Sequence, residues 1–203
     1  MTQKFHTKEE INTWLVINLI ENFYIHEDLT VSVKGKVNLI NKGLEGELPV
    51  FFRSIEGSVN LSENALTSLE GLPSEIKGYL DISSNQLKTL KHCPQTIEGH
   101  FICDKNDLEN LQDGPKYVGG FYSAEGNYIR SAHDFPEHVK ETIAIDSYHP
   151  LEGLESLMKQ DKVGIWVLYK NFSEVKHHLD IIALKKHLDE NLPAQASKVK
   201  RKI

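Results

Sequence analysis

A repeat of 21 residues runs through the middle of this 203-residue chain. Four consecutive segments of that length agree at five or more positions, and they begin at Ile55, Ile76, Ile97 and Val118. A looser copy of 22 residues begins at Val33, and a shorter, more divergent copy begins at Val139. Self-similarity at a fixed short period is typical of solenoids, in which each unit packs against its neighbours. Six stacked coils are therefore predicted, with the atypical copies at the ends.

Positions 5 and 7 of each unit are apolar and alternate with mostly polar neighbours. These pairs are Val59/Leu61, Leu80/Ile82, Phe101/Cys103 and Tyr122/Ala124. This period of two predicts a short strand with one buried face. Position 12 is apolar too, and its residues are Leu66, Leu87, Leu108 and Ile129. The strands are expected to lie parallel, one per coil.

Three further positions carry residues with special backbone chemistry. Position 3 is glycine at Gly35, Gly57, Gly78, Gly99 and Gly120, which suits a backbone kink before the strand. Position 10 is asparagine at Asn64, Asn85, Asn106 and Asn127, whose side chain can pair with backbone groups at a bend. Position 19 is proline at Pro73, Pro94, Pro115 and Pro136. Proline predicts an extended or 3₁₀ segment, not a full helix, on the back of each coil.

The pattern LxLxxNxL with a proline-bearing back is that of a short leucine-rich repeat. The stretch LTSLEGLP at residues 66–73 resembles repeats of bacterial leucine-rich-repeat proteins, and the lead-in over residues 9–44 is similar to the start of a group encoded by tailed bacteriophages. That resemblance covers roughly residues 7–146. It implies an α/β leucine-rich-repeat solenoid, with parallel strands on a concave face, and a phage or prophage origin. It implies no biochemical activity.

The two ends predict different additions to the solenoid. Thr7 and Glu10 fit a capping box, so a helix over residues 7–22 is expected to cover the first coil; the alternative is a helix that binds a partner. The apolar face of this helix is predicted to consist of Ile11, Trp14, Leu15, Leu19 and Phe23. After the last coil we expect a small helical appendage, with a helix at 151–159 and another from Ser173 to about residue 191. Residues 163–168 fit either a strand or a helix. The predicted divisions are 1–32, 33–150, 151–192 and a mobile basic tail at 193–203.

Charge and cysteine content narrow the classes of function. The chain carries a net charge of -6, and residues 55–138 alone hold 13 acidic and 6 basic residues, net -7, which makes nucleic acid an unlikely partner. Two cysteines are too few for a disulfide framework. We see no signal peptide and no apolar run long enough to cross a bilayer, so no membrane partner is expected. The expected location is the cytoplasm, that of the bacterial host if the chain is phage-encoded.

The candidate binding surface is the outward face of the predicted strands, at positions 4, 6 and 8. Equivalent positions of stacked coils form columns about 4.8 Å apart. Large side chains are adjacent there, and acidic ones lie beside them. The candidate partner-binding residues are Tyr79, His100, Ile102, Phe121, Asp104, Glu125 and Asp81. An aromatic patch with an acidic rim is typical of a protein-binding hot spot, although the same side chains could simply cover the sheet.

An enzymatic function has little support in the sequence. Some bacterial leucine-rich-repeat proteins carry a cysteine-dependent ubiquitin ligase domain after the repeats, but the segment after residue 146 contains no cysteine. Cys103 occupies an inward position, which predicts a buried structural thiol. His177, His178 and His187 do not share one helical face, so no metal site is expected. No phosphate-binding loop, dinucleotide fingerprint or serine-nucleophile motif is present.

The sequence therefore predicts a non-enzymatic protein–protein interaction module without cofactor or small-molecule substrate. Its expected partner is a bacterial host protein, as an inhibitor of a host enzyme or defence protein or as a trigger sensed by one. The alternative is an acidic nucleic-acid mimic that blocks a nucleic-acid-binding enzyme. The basic tail, which includes Lys198 and Lys202, leaves open a contact with nucleic acid, although solubility explains it equally well.

Overall fold

A computed structural model describes residues 5–131, 134–141, 143–147 and 165–169. The N-terminal helix α1 spans Lys8–Ile17. Its capping box is confirmed: the Thr7 hydroxyl accepts from the Glu10 N–H at 3.2 Å, and the Glu10 carboxylate accepts from the Thr7 N–H at 3.0 Å. Ile11 and Leu15 are fully buried, so α1 covers the apolar interior of the first coil.

The prediction that this helix continues to residue 22 is wrong. Leu19 adopts a left-handed backbone conformation at φ 58°, and it is 81% exposed instead of facing the core. The Ile20 N–H donates to the Leu15 carbonyl and the Leu19 N–H to that of Val16, which is a Schellman end. Such ends usually carry glycine at the left-handed position, so leucine there gave no stop signal. Phe23, predicted on the helix, lies in a strand.

The rest of the described chain forms a β-solenoid of about five turns, with units 21 residues apart. The front sheet contains the strands that the apolar alternation predicts, and each pair of neighbouring strands in it is parallel. Its strands in spatial order are β3 (Val37–Asn38), β6 (Val59–Asn60), β9 (Leu80–Asp81), β11 (Phe101–Ile102), β13 (Tyr122–Ser123), β15 (Ile143–Ser147) and β16 (Ile165–Tyr169).

A second sheet, the back sheet, forms where one repeat ends and the next begins. Its strands in spatial order are β1 (Phe23–Ile25), β2 (Val31–Val33), β5 (Phe52–Ile55), β8 (Glu75–Ile76), β10 (Thr96–Ile97), β12 (Tyr117–Val118) and β14 (His138–Val139). Only β1 runs antiparallel to its neighbour β2. A small third sheet pairs β4 (Glu45–Gly46) with β7 (Ala65–Leu66). The sequence did not predict these two sheets, because a regular back strand such as β8, β10 or β12 has one buried residue, and a single apolar position shows no alternation.

The core confirms the predicted inward positions. Both members of each apolar pair at positions 5 and 7 are fully buried, as are Leu66, Leu87 and Leu108 at position 12. From β6 to β13, position 5 grows from valine through leucine and phenylalanine to tyrosine, while position 7 shrinks from leucine through isoleucine and cysteine to alanine. Opposite size trends keep the cross-section of each coil filled, as close-packed interiors require.

The asparagines at position 10 bond as predicted. The Asn106 amide group donates to the carbonyls of Cys103, Asp104 and, in the preceding coil, Ile82, at 3.0–3.2 Å. Its side-chain oxygen accepts from the Leu87 N–H at 3.0 Å. Asn85 repeats this arrangement one coil earlier. Each asparagine therefore forms hydrogen bonds with the backbone of its own turn and with that of the preceding coil.

The glycines at position 3 lie at a backbone bend before each front strand, as predicted, and from the second coil onward they also allow a close approach between coils. A Cβ on Gly57 would lie 2.6 Å from the backbone of Gly35, and one on Gly99 would lie 2.7 Å from that of Gly78. Real Cβ atoms do not approach backbone so closely. None of the position 3 glycines has a φ in the left-handed region. The coils therefore touch backbone to backbone at this point.

The C-terminal region is described only in part. The apolar run at 163–168 contributes β16, which resolves its ambiguity in favour of a strand and extends the front sheet beyond β15. The predicted helices at 151–159 and 173–191 and the basic tail at 193–203 lie outside the described residues. Within the described residues, no helix has the length and apolar content to span a bilayer.

Candidate protein-binding face

The front sheet brings the predicted large side chains at position 4 next to one another. The carbonyls of Tyr79, His100 and Phe121 occupy equivalent places, because each accepts the N–H of position 5 in the preceding coil at 2.8–2.9 Å. Leu80, Phe101 and Tyr122, one residue further on, are buried in register. Since side chains alternate along a strand, position 4 lies on the outer face. The three residues therefore form one continuous row across adjacent coils.

His100 and Phe121 form the centre of this row. Their rings stack with centroids 4.1 Å apart and planes 20° from parallel. The Phe121 N–H also donates to His100 Nδ1 at 3.1 Å, so in the neutral imidazole the proton is on Nε2. Gly120 leaves the space that the His100 ring occupies, since a Cβ on Gly120 would lie 2.1 Å from His100 Nδ1. The ring contact and the hydrogen bond therefore hold the stacked pair in one orientation, and the absence of a side chain at Gly120 leaves room for the His100 ring.

Tyr79 and Ile102 extend the apolar surface beside the stacked pair. Tyr79 is 39% exposed, and its backbone N–H donates to the Ser58 hydroxyl at 3.2 Å. Ile102 is half-buried at position 6 of the coil that carries His100. We name Tyr79, His100, Ile102 and Phe121 the aromatic patch.

The predicted acidic rim has a structural role that the sequence did not reveal. Asp81 Oδ1 accepts from both the backbone N–H and the hydroxyl of Ser83, at 2.9 and 2.6 Å. Asp104 Oδ1 accepts from the Ser123 hydroxyl at 2.7 Å and from the Glu125 N–H at 2.8 Å. These carboxylates satisfy backbone donors at the ends of the strands. Their charges still border the patch, but they are fixed by the fold.

Sequence reasoning missed Glu141, which belongs to the same surface. Its carboxylate Oε2 lies 4.0 Å from His100 Nδ1. Glu141 stands at position 3 of the sixth unit, where the preceding units carry glycine, and this departure from the repeat was the available signal. Its N–H donates to the Gly120 carbonyl at 3.3 Å, so the backbone keeps the same junction despite the larger residue.

Both cysteines are buried within the core. Cys103 is fully buried, as predicted, and its thiol donates to the Ser123 carbonyl at 3.3 Å. Burial raises the pKa of the Cys103 thiol well above its usual value, and it raises that of Cys93 as well. Such thiols are protonated at neutral pH and have the properties of structural residues, not of nucleophiles.

A metal centre and a small-molecule cavity are two other kinds of site. Among the described residues, no group of three or more histidine, cysteine, aspartate and glutamate side chains could hold a metal ion. A cavity of about 300 Å³ lies on the back, between the proline segments of two adjacent coils. Its charged lining consists of Asp113, Lys116, Asp134 and Glu137. The aromatic patch lies on the front sheet and is separate from it.

Comparison with protein-family models, with curated proteins and with solved structures found no match to this chain. The aromatic patch must therefore be interpreted from its own geometry and chemistry.

Proposed function

We propose that this protein is a non-enzymatic binding module that holds another protein against the aromatic patch. The observation that carries the proposal is the stacked His100–Phe121 pair, with the exposed Tyr79 ring beside it on the outer face of the front sheet. Partner-binding surfaces are enriched in aromatic side chains, and a few such residues contribute most of the binding energy. No catalytic group is part of the proposal.

Preorganisation supports this proposal. Side chains that are ordered only on binding cost about 0.5–1.5 kcal/mol each in lost rotamer freedom. The Phe121 N–H bond to His100 and the stacking of the two rings fix these residues before any partner arrives. Much of that cost is therefore met during folding, and the patch can bind with little rearrangement.

Charge adds a preference for the partner's chemistry. Asp81, Asp104 and Glu125 border the patch on one side, and the Glu141 carboxylate lies close to His100. Complementary charge steers association and selects among partners more than it raises affinity. The preferred partner surface therefore has an apolar centre with basic residues around it.

The finer parts of the proposal rest on the sequence pattern. The solenoid is proposed to be of the leucine-rich-repeat class and of phage origin, acting in the bacterial cytoplasm. The partner is then a bacterial host protein, which the chain inhibits or by which it is sensed. The alternative, an acidic nucleic-acid mimic, is favoured by no contact, because Asp81 and Asp104 are engaged with backbone donors of the chain itself.

The proposal is tested by affinity capture of a tagged chain from bacterial lysate. The Tyr79→Ala/Phe121→Ala double variant is run in parallel with Tyr128→Ala. Tyr128 is 56% exposed, more than Tyr79, but lies outside the patch, so it controls for the loss of a surface aromatic ring. We expect one stoichiometric protein that the double variant loses and the control retains. Capture of nucleic acid alone, released at high salt, would contradict the proposal.

A further inference from the structure

The back sheet and the front sheet differ at their N-terminal edges. In the back sheet, β1 folds over β2 in antiparallel register, with Phe23 opposite Val33, so that edge is covered by the chain's own lead-in. In the front sheet, β3 is the outermost strand among the described residues. An uncovered parallel edge presents backbone groups that can pair with another chain.

The hydrogen-bonding polarity of the front sheet is the same at each junction from β3 to β13. The N–H groups of positions 5, 7 and 9 in one coil donate to the carbonyls of positions 4, 6 and 8 in the next coil. Between the first two coils, the donors are Val37, Leu39 and Asn41, and the acceptors are Ser58, Asn60 and Ser62. The equivalent acceptors of the first coil are the carbonyls of Lys36, Asn38 and Ile40. None of these carbonyls accepts a hydrogen bond from a described residue. The side chains of all three residues are exposed.

Gly35 provides an independent indication that this edge can receive another coil. It occupies position 3, where Gly57 and Gly99 are needed because the backbone of the preceding coil lies 2.6–2.7 Å from their Cβ positions. A Cβ on Gly35 would meet nothing within 4 Å, and its φ is not in the left-handed region. Of the glycines in the described part of the chain, it alone is required neither by its φ nor by a close contact. The surface of the first coil is therefore shaped for a preceding backbone that the described residues do not supply.

We propose that a second copy of this chain supplies it, through the outer edge of its β16, so that chains associate head to tail along the front sheet. Among the described residues, β16 is the last strand of the same sheet, parallel to β15, with Ile165 paired to Ile143. Its outer side has the position in the sheet that each coil presents to the coil after it. A β16–β3 junction would therefore reproduce the parallel pairing of every internal junction.

This contact joins two different surfaces, so it is heterologous and continues into longer assemblies unless the rotation between copies closes a ring. A junction of short strands buries little surface, so weak and concentration-dependent association is expected. A two-fold dimer through two β3 edges is a different arrangement, because it would pair those strands antiparallel.

The test is sedimentation velocity of the full chain over a concentration series up to about 1 mM, a range that detects even millimolar association. The weight-average mass is expected to rise above that of one chain, and Gly35→Val is expected to abolish the rise. The new side chain enters open space in the single chain but collides with the neighbouring backbone in the junction. Thermal unfolding of the variant should match that of the parent, which separates a blocked junction from a damaged fold.

Gln86→Val is the matched control, since it places the same uncharged residue at an exposed site on an internal coil. It is expected to leave the assembly unchanged. A chain that stays monomeric over the whole series would overturn the proposal. So would an oligomer that Gly35→Val leaves intact, because association would then use another surface.

Discussion

The asparagines at position 10 each satisfy backbone groups of two adjacent coils. Asn106 is 4% exposed and makes four hydrogen bonds, three through its amide nitrogen and one through its oxygen. The preceding residue, Lys105, has a φ of 51°, as Glu63 and Ser84 have values of 58° and 54° at the same place in their coils. The asparagine bonds thus accompany a left-handed turn that ordinary residues adopt at some cost.

Asn106→Ala should lower the free energy of unfolding by about 1–3 kcal/mol, because it leaves the buried Leu87 N–H without its partner. The three carbonyls to which Asn106 donates each keep a second donor, from Asn85, Ser84 or Asn127. Chemical denaturation of the parent and the variant measures the difference. Asn110→Ala is the control: Asn110 makes one exposed hydrogen bond, to the Gln112 N–H, and its loss should cost less than about 1 kcal/mol. Equal effects of the two substitutions would contradict the role assigned to position 10.

At the scale of the elements, the repeat pattern predicted the features that recur once in every 21 residues. The front strands, their buried positions and the capping box at Thr7 follow from spacing and residue type. The end of α1 could not be predicted, because Leu19 takes a conformation in which glycine is usual. The back sheet was missed because each of its regular strands contributes one buried residue, which shows no alternation. In the patch, the row of position 4 residues was predictable, whereas the His100–Phe121 hydrogen bond and the bonding of Asp104 join side chains to residues about one coil away and depend on their exact orientation.

The junctions between coils give a test with a built-in comparison. Gly99→Ala should destabilise the fold by about 1–3 kcal/mol, since its Cβ would overlap the backbone of the preceding coil and push two strands apart. Gly35→Ala makes the same chemical change at the same repeat position, but its Cβ points into open space. Its effect on the thermal unfolding midpoint should be small. A loss of stability at Gly35 as large as that at Gly99 would refute the close-approach explanation.

At the scale of the whole molecule, the core is one continuous cluster from Ile11 in α1 to Ile145 in β15. Cys93, Cys103 and the hydroxyl of Tyr122 are enclosed in it, and burial raises the pKa of all three groups. Unfolding exposes them to water, where a cysteine has a pKa of about 8.5. A group with a higher pKa in the folded state contributes stability that is complete below its unfolded pKa and declines as pH rises above it.

The contribution of these thiols to the free energy of unfolding should therefore be constant up to about pH 8. Above that pH it should fall, by at most about 1.4 kcal/mol per pH unit for each thiol. Denaturation curves from pH 7 to pH 10 measure this. In the Cys93→Ala/Cys103→Ala variant the decline between pH 8 and pH 9.5 should largely disappear, although the variant is less stable overall. If the decline persists unchanged, the buried thiols are not its source.

The central claim is that the aromatic patch binds a protein, and affinity for the captured partner tests it most directly. Once capture has identified that partner, its dissociation constant is measured for the parent, Tyr79→Ala, Phe121→Ala and the Tyr128→Ala control, with thermal unfolding recorded for each. The two patch substitutions should each weaken binding by about 1–3 kcal/mol while the fold is retained, and Tyr128→Ala should leave affinity unchanged. Unchanged affinity for the Tyr79→Ala/Phe121→Ala double variant would contradict the claim and place the contact elsewhere on the molecule.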